Sequence, residues 1–127
     1  MLNSTAVRRS QSRHDRPMVL TEPLKATIDK GILTAGAARS ILMAVAAVTG
    51  IASYRITSPA RHLEVAHARH CSAWIMVKIY GKSLQTTAKS LNRECHTTVL
   101  NSIRRVELQP EKFMPFIDAA IDILEPE

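Results

Sequence analysis

Aromatic residues are scarce in this sequence. One tryptophan, two tyrosines and two phenylalanines serve 127 residues. Stacking platforms for single-stranded DNA or RNA need several exposed aromatic faces, so that class of function is disfavoured. Glycine is scarcer, with only Gly31, Gly36, Gly50 and Gly81. A sheet-rich fold with many tight turns draws on more. The two cysteines, Cys71 and Cys95, are too few for a disulfide framework and suit a reduced, cytoplasmic compartment. The longest uncharged apolar stretch, Ile41 to Ala52, is too short to span a bilayer, and no apolar segment follows the basic N-terminus as a secretory signal would. Apolar residues nevertheless make up 46% of the chain. The core must therefore be built from Ala, Val, Ile, Leu and Met, and the length suits one domain with tails.

Charge is unevenly placed. Residues 55–105 carry nine Lys/Arg against two carboxylates, whereas 106–127 carry one lysine against six. A basic middle and an acidic end point to a polyanion-binding surface confined to one region. The alternative for any single charge is a solvated helix face.

Apolar spacing predicts an all-α chain. Residues 1–20, which include Arg8, Arg9, Arg13 and Arg16, lack periodicity and are expected to form a disordered basic tail. The helical domain is expected over 21–108. A short helix is predicted from Leu24 to Ile32. A second covers Thr34 to Val48, with Ile41, Leu42, Val45 and Val48 inward and Gly50 as its stop. Ser53 to Ile56 suit a single turn, and Ser58-Pro59 opens a loop through Leu63. Glu64 to Tyr80 reads as the long helix. Val65, Ala68, Ser72, Ile75 or Met76, and Ile79 face the core, Arg69, His70 and Lys78 lie elsewhere, and Gly81 is the stop. Ser83 to Leu91 and Cys95 to Leu108 then form two helices joined by about four residues, a helix-turn-helix over 83–107. Residues 109–127 form an acidic amphipathic helix with Phe113, Phe116, Ile117, Ala120 and Leu124 on one side, to cap the core or meet a partner.

The run TAKSLNRECHTTVLNSIRRVE contains His96-Thr97-Thr98-Val99, a small residue at Ser102, and Arg104-Arg105-Val106. Together with VAAVTGI at Val45–Ile51, Arg61 in the loop and Val65-Ala66 with Arg69 behind it, this resembles the C-terminal DNA-binding domain (domain IV, Trp-repressor-like) of the bacterial replication initiator DnaA. The resemblance covers about residues 38 to 107 and implies a compact helical domain that binds double-stranded DNA by sequence. It implies that Cys95, His96, Thr97 and Thr98 face the major groove and that Arg61 enters the minor groove. Threonine suits thymine, because its methyl packs on the C5-methyl and its hydroxyl reaches a base edge. Arginine suits a narrow, electronegative groove. Arg69, Lys78, Lys82 and Arg93 are candidates for phosphate contacts, which set affinity and register.

The sequence also departs from the family. Glu94-Cys95 stands where the family has Arg-Asp, and a thiol replaces a carboxylate acceptor poorly, so an altered DnaA-box-like site is expected. Pro59, Ala60 and Leu63 thin the basic loop. Gly81-Lys82-Ser83 ends like a phosphate loop, but Met76 occupies the earlier glycine position, so no nucleotide site and no ATPase domain are expected. His67, His70, Cys71, Cys95 and His96 lack paired metal-ligand spacing, and Cys95-His96 adjacency does not make a nucleophile. The expectation is a stand-alone, nucleoid-associated regulator of transcription or replication. It would be monomeric or weakly dimeric, with no cofactor and no catalysis. The competing expectation is a protein-interaction adaptor on the same scaffold.

Overall fold

Alanine-rich sequence with aliphatic residues every third or fourth position produces the first helix of the computed structural model, which describes residues 34–125. The expected basic tail and the expected helix at Leu24–Ile32 lie outside the described residues. Helix α1 (Ala38–Thr49) buries Ile41, Ala44 and Val45, with Leu42 and Val48 half-buried at its edges. Gly50 ends it at φ 78°, a left-handed conformation that glycine adopts without steric cost, and its N–H donates to the Ala46 carbonyl. The four-residue α2 (Ser53–Ile56) sets Ile56 into the core, and the loop beyond it carries Pro59 and Arg61.

Helix α3 (Leu63–Trp74) lies at the centre, in contact with α1, α5 and α6. It continues without a break into a π-helical stretch at Ile75–Ile79, where the Tyr80 N–H donates to the Ile75 carbonyl at 3.2 Å. This wider turn admits one extra residue per turn and rotates the register of the residues after it. Ile79, expected inward from straight α-helical spacing, is consequently exposed, while both Ile75 and Met76 are fully buried. Gly81, at φ 67°, closes the stretch.

The helix-turn-helix forms at the expected positions. Ser83 caps α4 (Leu84–Ser90), its hydroxyl accepting from the Thr86 N–H at 3.0 Å. The turn passes through Asn92 at φ 59°, a left-handed position that asparagine tolerates. Helix α5 (His96–Leu108) comes next, with Val99, Ile103 and Val106 buried at 3-4 spacing. Helix α6 (Pro110–Leu124) packs along α1 and also touches α3 and α5, burying Phe113, Ile117, Ala120, Ile123 and Leu124. Phe116, expected among the inward residues, is half-buried. The Tyr80 hydroxyl donates to Glu125 at 2.8 Å, which ties the end of α6 to the end of the π stretch. No strand occurs among the described residues, and none of their helices is long and apolar enough to cross a membrane.

Two histidines of α3 fasten the helices to one another. His67 stacks on Phe113 at 4.7 Å between ring centres, and its Nε2 donates to the Lys112 carbonyl at 2.7 Å. His70 shares a 2.8 Å hydrogen bond through Nδ1 with Ser102 Oγ on α5. Burial, opposed in His67 by the Lys112 carbonyl, lowers both pKa values. For His70, Arg105 and other nearby cations add to burial and bring it to about 4. A histidine with a folded pKa below its unfolded value of 6.5 stabilises the fold above that value, and its contribution is lost as pH falls toward the folded pKa. Thermal melts at pH 7.0, 5.5 and 4.5 are therefore expected to show a falling Tm. His70→Asn, which keeps a polar contact without a titrating ring, should flatten the fall. An equally steep profile in that variant would remove His70 from the cause.

Candidate nucleic-acid interface

The N-terminal end of α5 projects from the body. Cys95, His96, Thr97 and Thr98 are all exposed, while the next residue, Val99, is fully buried. The transition arises from the pattern. The aliphatic stripe that holds α5 to the core begins only at Val99, leaving the first turn without an apolar anchor and open to a ligand. Cys95 is the N-cap, and its Sγ accepts from the Thr97 N–H at 3.4 Å. Hydrogen bonding from Thr97, side chain and backbone, holds this exposed thiol below its ordinary pKa, whereas burial pushes the Cys71 thiol up to about 12. Titration with a thiol reagent at pH 7.5 should accordingly show one fast thiol, lost in Cys95→Ser, and a second that reacts only on unfolding. Two thiols of equal rate would contradict this geometry.

The long helix and the turn position the loop beside α5. Arg69 is expected from the sequence as a phosphate contact near a helix end. Instead it is 9% exposed. Its Nε donates to the Ile56 carbonyl at 2.9 Å, and its Nη2 donates to the Ser58 and Ala60 carbonyls at 2.9 and 3.0 Å. This placement has a simple reason. Ser58-Pro59 breaks the helix and leaves carbonyls without intrahelical partners, and a guanidinium fork can serve several of them at once. Arg93, half-buried in the turn of the helix-turn-helix, donates through Nη2 to the same Ser58 carbonyl at 2.6 Å. Two arginines thus brace the loop from which Arg61 projects, exposed.

Lys82 is half-buried just before α4. Lys78 lies on the π stretch, half-exposed. Its Nζ lies 3.4 Å from Glu107, and Glu107 sits eleven residues beyond His96, ~16 Å along the helix axis from the exposed end of α5. The ion pair thus sits toward the far end of the helix, away from the exposed threonines. It is half-exposed and contributes little to stability.

Between the loop and α5 lies a cleft of about 360 Å³. The side chains of Arg61, Arg69, Arg93 and Arg105 reach it, and no carboxylate among the described residues lines it. Asn101, which sequence reasoning did not single out, lines it too, together with Ser102 and His70. A signal for Asn101 was present. Thr98, Asn101, Ser102 and Arg105 recur at i, i+3, i+4 and i+7, a polar stripe beside the buried one.

The family model described as bacterial dnaA protein helix-turn-helix matches residues 38–106, from the first residue of α1 through the last buried residue of α5. No match is found among the curated proteins or the solved structures. With more than half of its length matched, and the helix-turn-helix, exposed threonine pair and braced loop all inside the match, the chain belongs to the bacterial DnaA helix-turn-helix family.

Proposed function

We propose that this protein binds double-stranded DNA sequence-specifically, at a site related to the DnaA box but altered where Cys95 stands, and that it regulates transcription or replication on the nucleoid as a monomer or weak dimer. Family membership implies DNA binding. The observation that carries the finer reading is the exposure of all four residues Cys95 to Thr98 at one helix end, flanked by an arginine-lined cleft. In this reading Thr97, Thr98 and His96 meet base edges in the major groove, with Cys95 at its margin. Arg61 enters the adjacent minor groove from its braced loop. Lys82 and Arg93 lie against phosphates. The chemistry is recognition, and no residue is assigned a catalytic role.

The adaptor reading has less support. Its motives are the Cys95 substitution and the acidic amphipathic C-terminal helix, and the apolar side of α6 is occupied by α1, α3 and α5.

Selection from a random duplex pool, followed by titration of the enriched duplex at two salt concentrations, tests the proposal. The expected result is a short consensus and a log–log salt slope equivalent to several phosphate contacts. A bound duplex should also slow the reaction of Cys95 with a thiol reagent. An unenriched pool with no binding at low salt would reject DNA recognition. Enrichment without protection of Cys95 would place the duplex on another face.

A further inference from the structure

The cleft between the loop and α5 has a property that base reading does not require. Arg69 and Arg93 both donate to the single carbonyl of Ser58, which draws two guanidinium groups onto one acceptor. Arg61 and Arg105 bring two more to the same cleft, with no carboxylate among the described residues to offset them. Like charges gathered this way repel one another, and a bound anion relieves the repulsion. The neutral lining is suited to oxygen ligands. Thr98 offers a hydroxyl and Asn101 an amide from the exposed side of α5. Guanidinium forks match the paired oxygens of a phosphoryl group better than they match a point anion. The volume lies at the lower end of the range for small-ligand pockets, ~300–1,000 Å³, which suits a compact polyanion.

We propose that this cleft is a phosphate seat, built to hold a phosphoryl group between Arg105 and Asn101 of α5 and Arg93 of the facing turn. The group comes from a small molecule carrying two or more phosphates or from the backbone of a bound duplex, and the two exclude one another. The seat does not depend on sequence-specific DNA reading; only the competition between the two sources rests on that proposed function.

The test uses the full chain and inorganic pyrophosphate, titrated calorimetrically at low salt without DNA. One site is expected, weakened on the order of tenfold by Arg105→Ala, as for loss of a charge-assisted contact. Arg104→Ala, an exposed neighbour outside the cleft, should leave it unchanged. Thr97→Ala should also leave it unchanged, which separates the seat from base reading. In the second arm, duplexes with a single uncharged methylphosphonate linkage are scanned against wild type and Arg105→Ala. A linkage whose cost disappears in Arg105→Ala identifies the duplex as the source, even where pyrophosphate does not bind. Pyrophosphate binding that displaces duplex identifies the free ligand. Pyrophosphate binding in a chain that binds no duplex keeps the seat and discards the DNA reading. Equal effects of Arg104→Ala and Arg105→Ala on pyrophosphate, or no binding of it, together with no linkage coupled to Arg105, would overturn the proposal.

Discussion

Arg69→Ala is expected to lower stability by ~2–4 kcal/mol and to weaken duplex binding on every sequence. The stability figure rests on three donated hydrogen bonds, to the carbonyls of Ile56, Ser58 and Ala60. A hydrogen bond from a charged group contributes ~1.5–3 kcal/mol net, and three sharing one guanidinium do not add in full. The replacement leaves acceptors beside the loop with no protein donor except Arg93, which serves Ser58 alone. Burial and the charge of Arg93 lower the Arg69 pKa, yet the group stays protonated, so the variant removes a cation as well as a brace. The effect on DNA binding should pass through Arg61, because the loop that carries it is no longer held.

A double-mutant cycle distinguishes this from the loss of a phosphate contact. If Arg69 acts as a brace, Arg61→Ala in the Arg69→Ala background adds little further loss. If Arg69 were an independent phosphate contact, the two losses would sum and the salt slope would flatten by about one for Arg69 alone. Arg69→Lys should recover part of the stability, since an ammonium can reach one or two carbonyls but lacks the fork that spans three. Urea melts and fluorescence anisotropy supply both readouts. An Arg69→Ala variant as stable as wild type would show that the guanidinium braces nothing.

Arg69 also shows where the sequence stops being informative. Helices fixed by local signals were readable. Gly50 and Gly81 mark boundaries by backbone preference and Ser83 by its side-chain cap, and the 3-4 spacing of Val99, Ile103 and Val106 gives the buried stripe of α5 directly. The exposed end of α5 was readable for the same reason, since the stripe begins only at Val99. The features that were not readable depend on contacts distant in sequence or on a change of helical period. The Ile79 position assumes 3.6 residues per turn and fails at the π stretch. The burial of Arg69 depends on carbonyls 9 to 13 residues away, freed by a proline break. Periodicity places a charged residue off the apolar face but does not show that a loop folds back over it. The Lys78–Glu107 pair joins residues whose separation in sequence gave no hint of contact. The cleft belongs to the same category, because it exists only once the loop, the turn and α5 are brought together.

Thr97→Ala is expected to cost ~1–3 kcal/mol on the selected duplex and almost nothing on random DNA, the range of a good base-edge contact. The fold should be unaffected. Thr97 is exposed, its backbone N–H keeps the Cys95 sulfur as acceptor, and alanine is the better helix former. Two further variants separate the halves of the side chain. Thr97→Ser keeps the hydroxyl and removes the methyl, so it should lose affinity only where a thymine methyl lies opposite. Thr97→Val keeps the methyl and removes the hydroxyl, so it should lose affinity where a base edge or phosphate accepts from it. Because Cys95 occupies the cap beside this residue, the base pair with the most relaxed preference should be the one facing Cys95, where a weakly polar thiol replaces a strong acceptor. Measuring the three Thr97 variants against every single-base substitution of the selected site resolves these contributions. Equal losses on selected and random duplexes would show that Thr97 reads no base. The exposed helix end would then serve only to grip the backbone, and sequence choice would have to come from Arg61 and the shape of the minor groove.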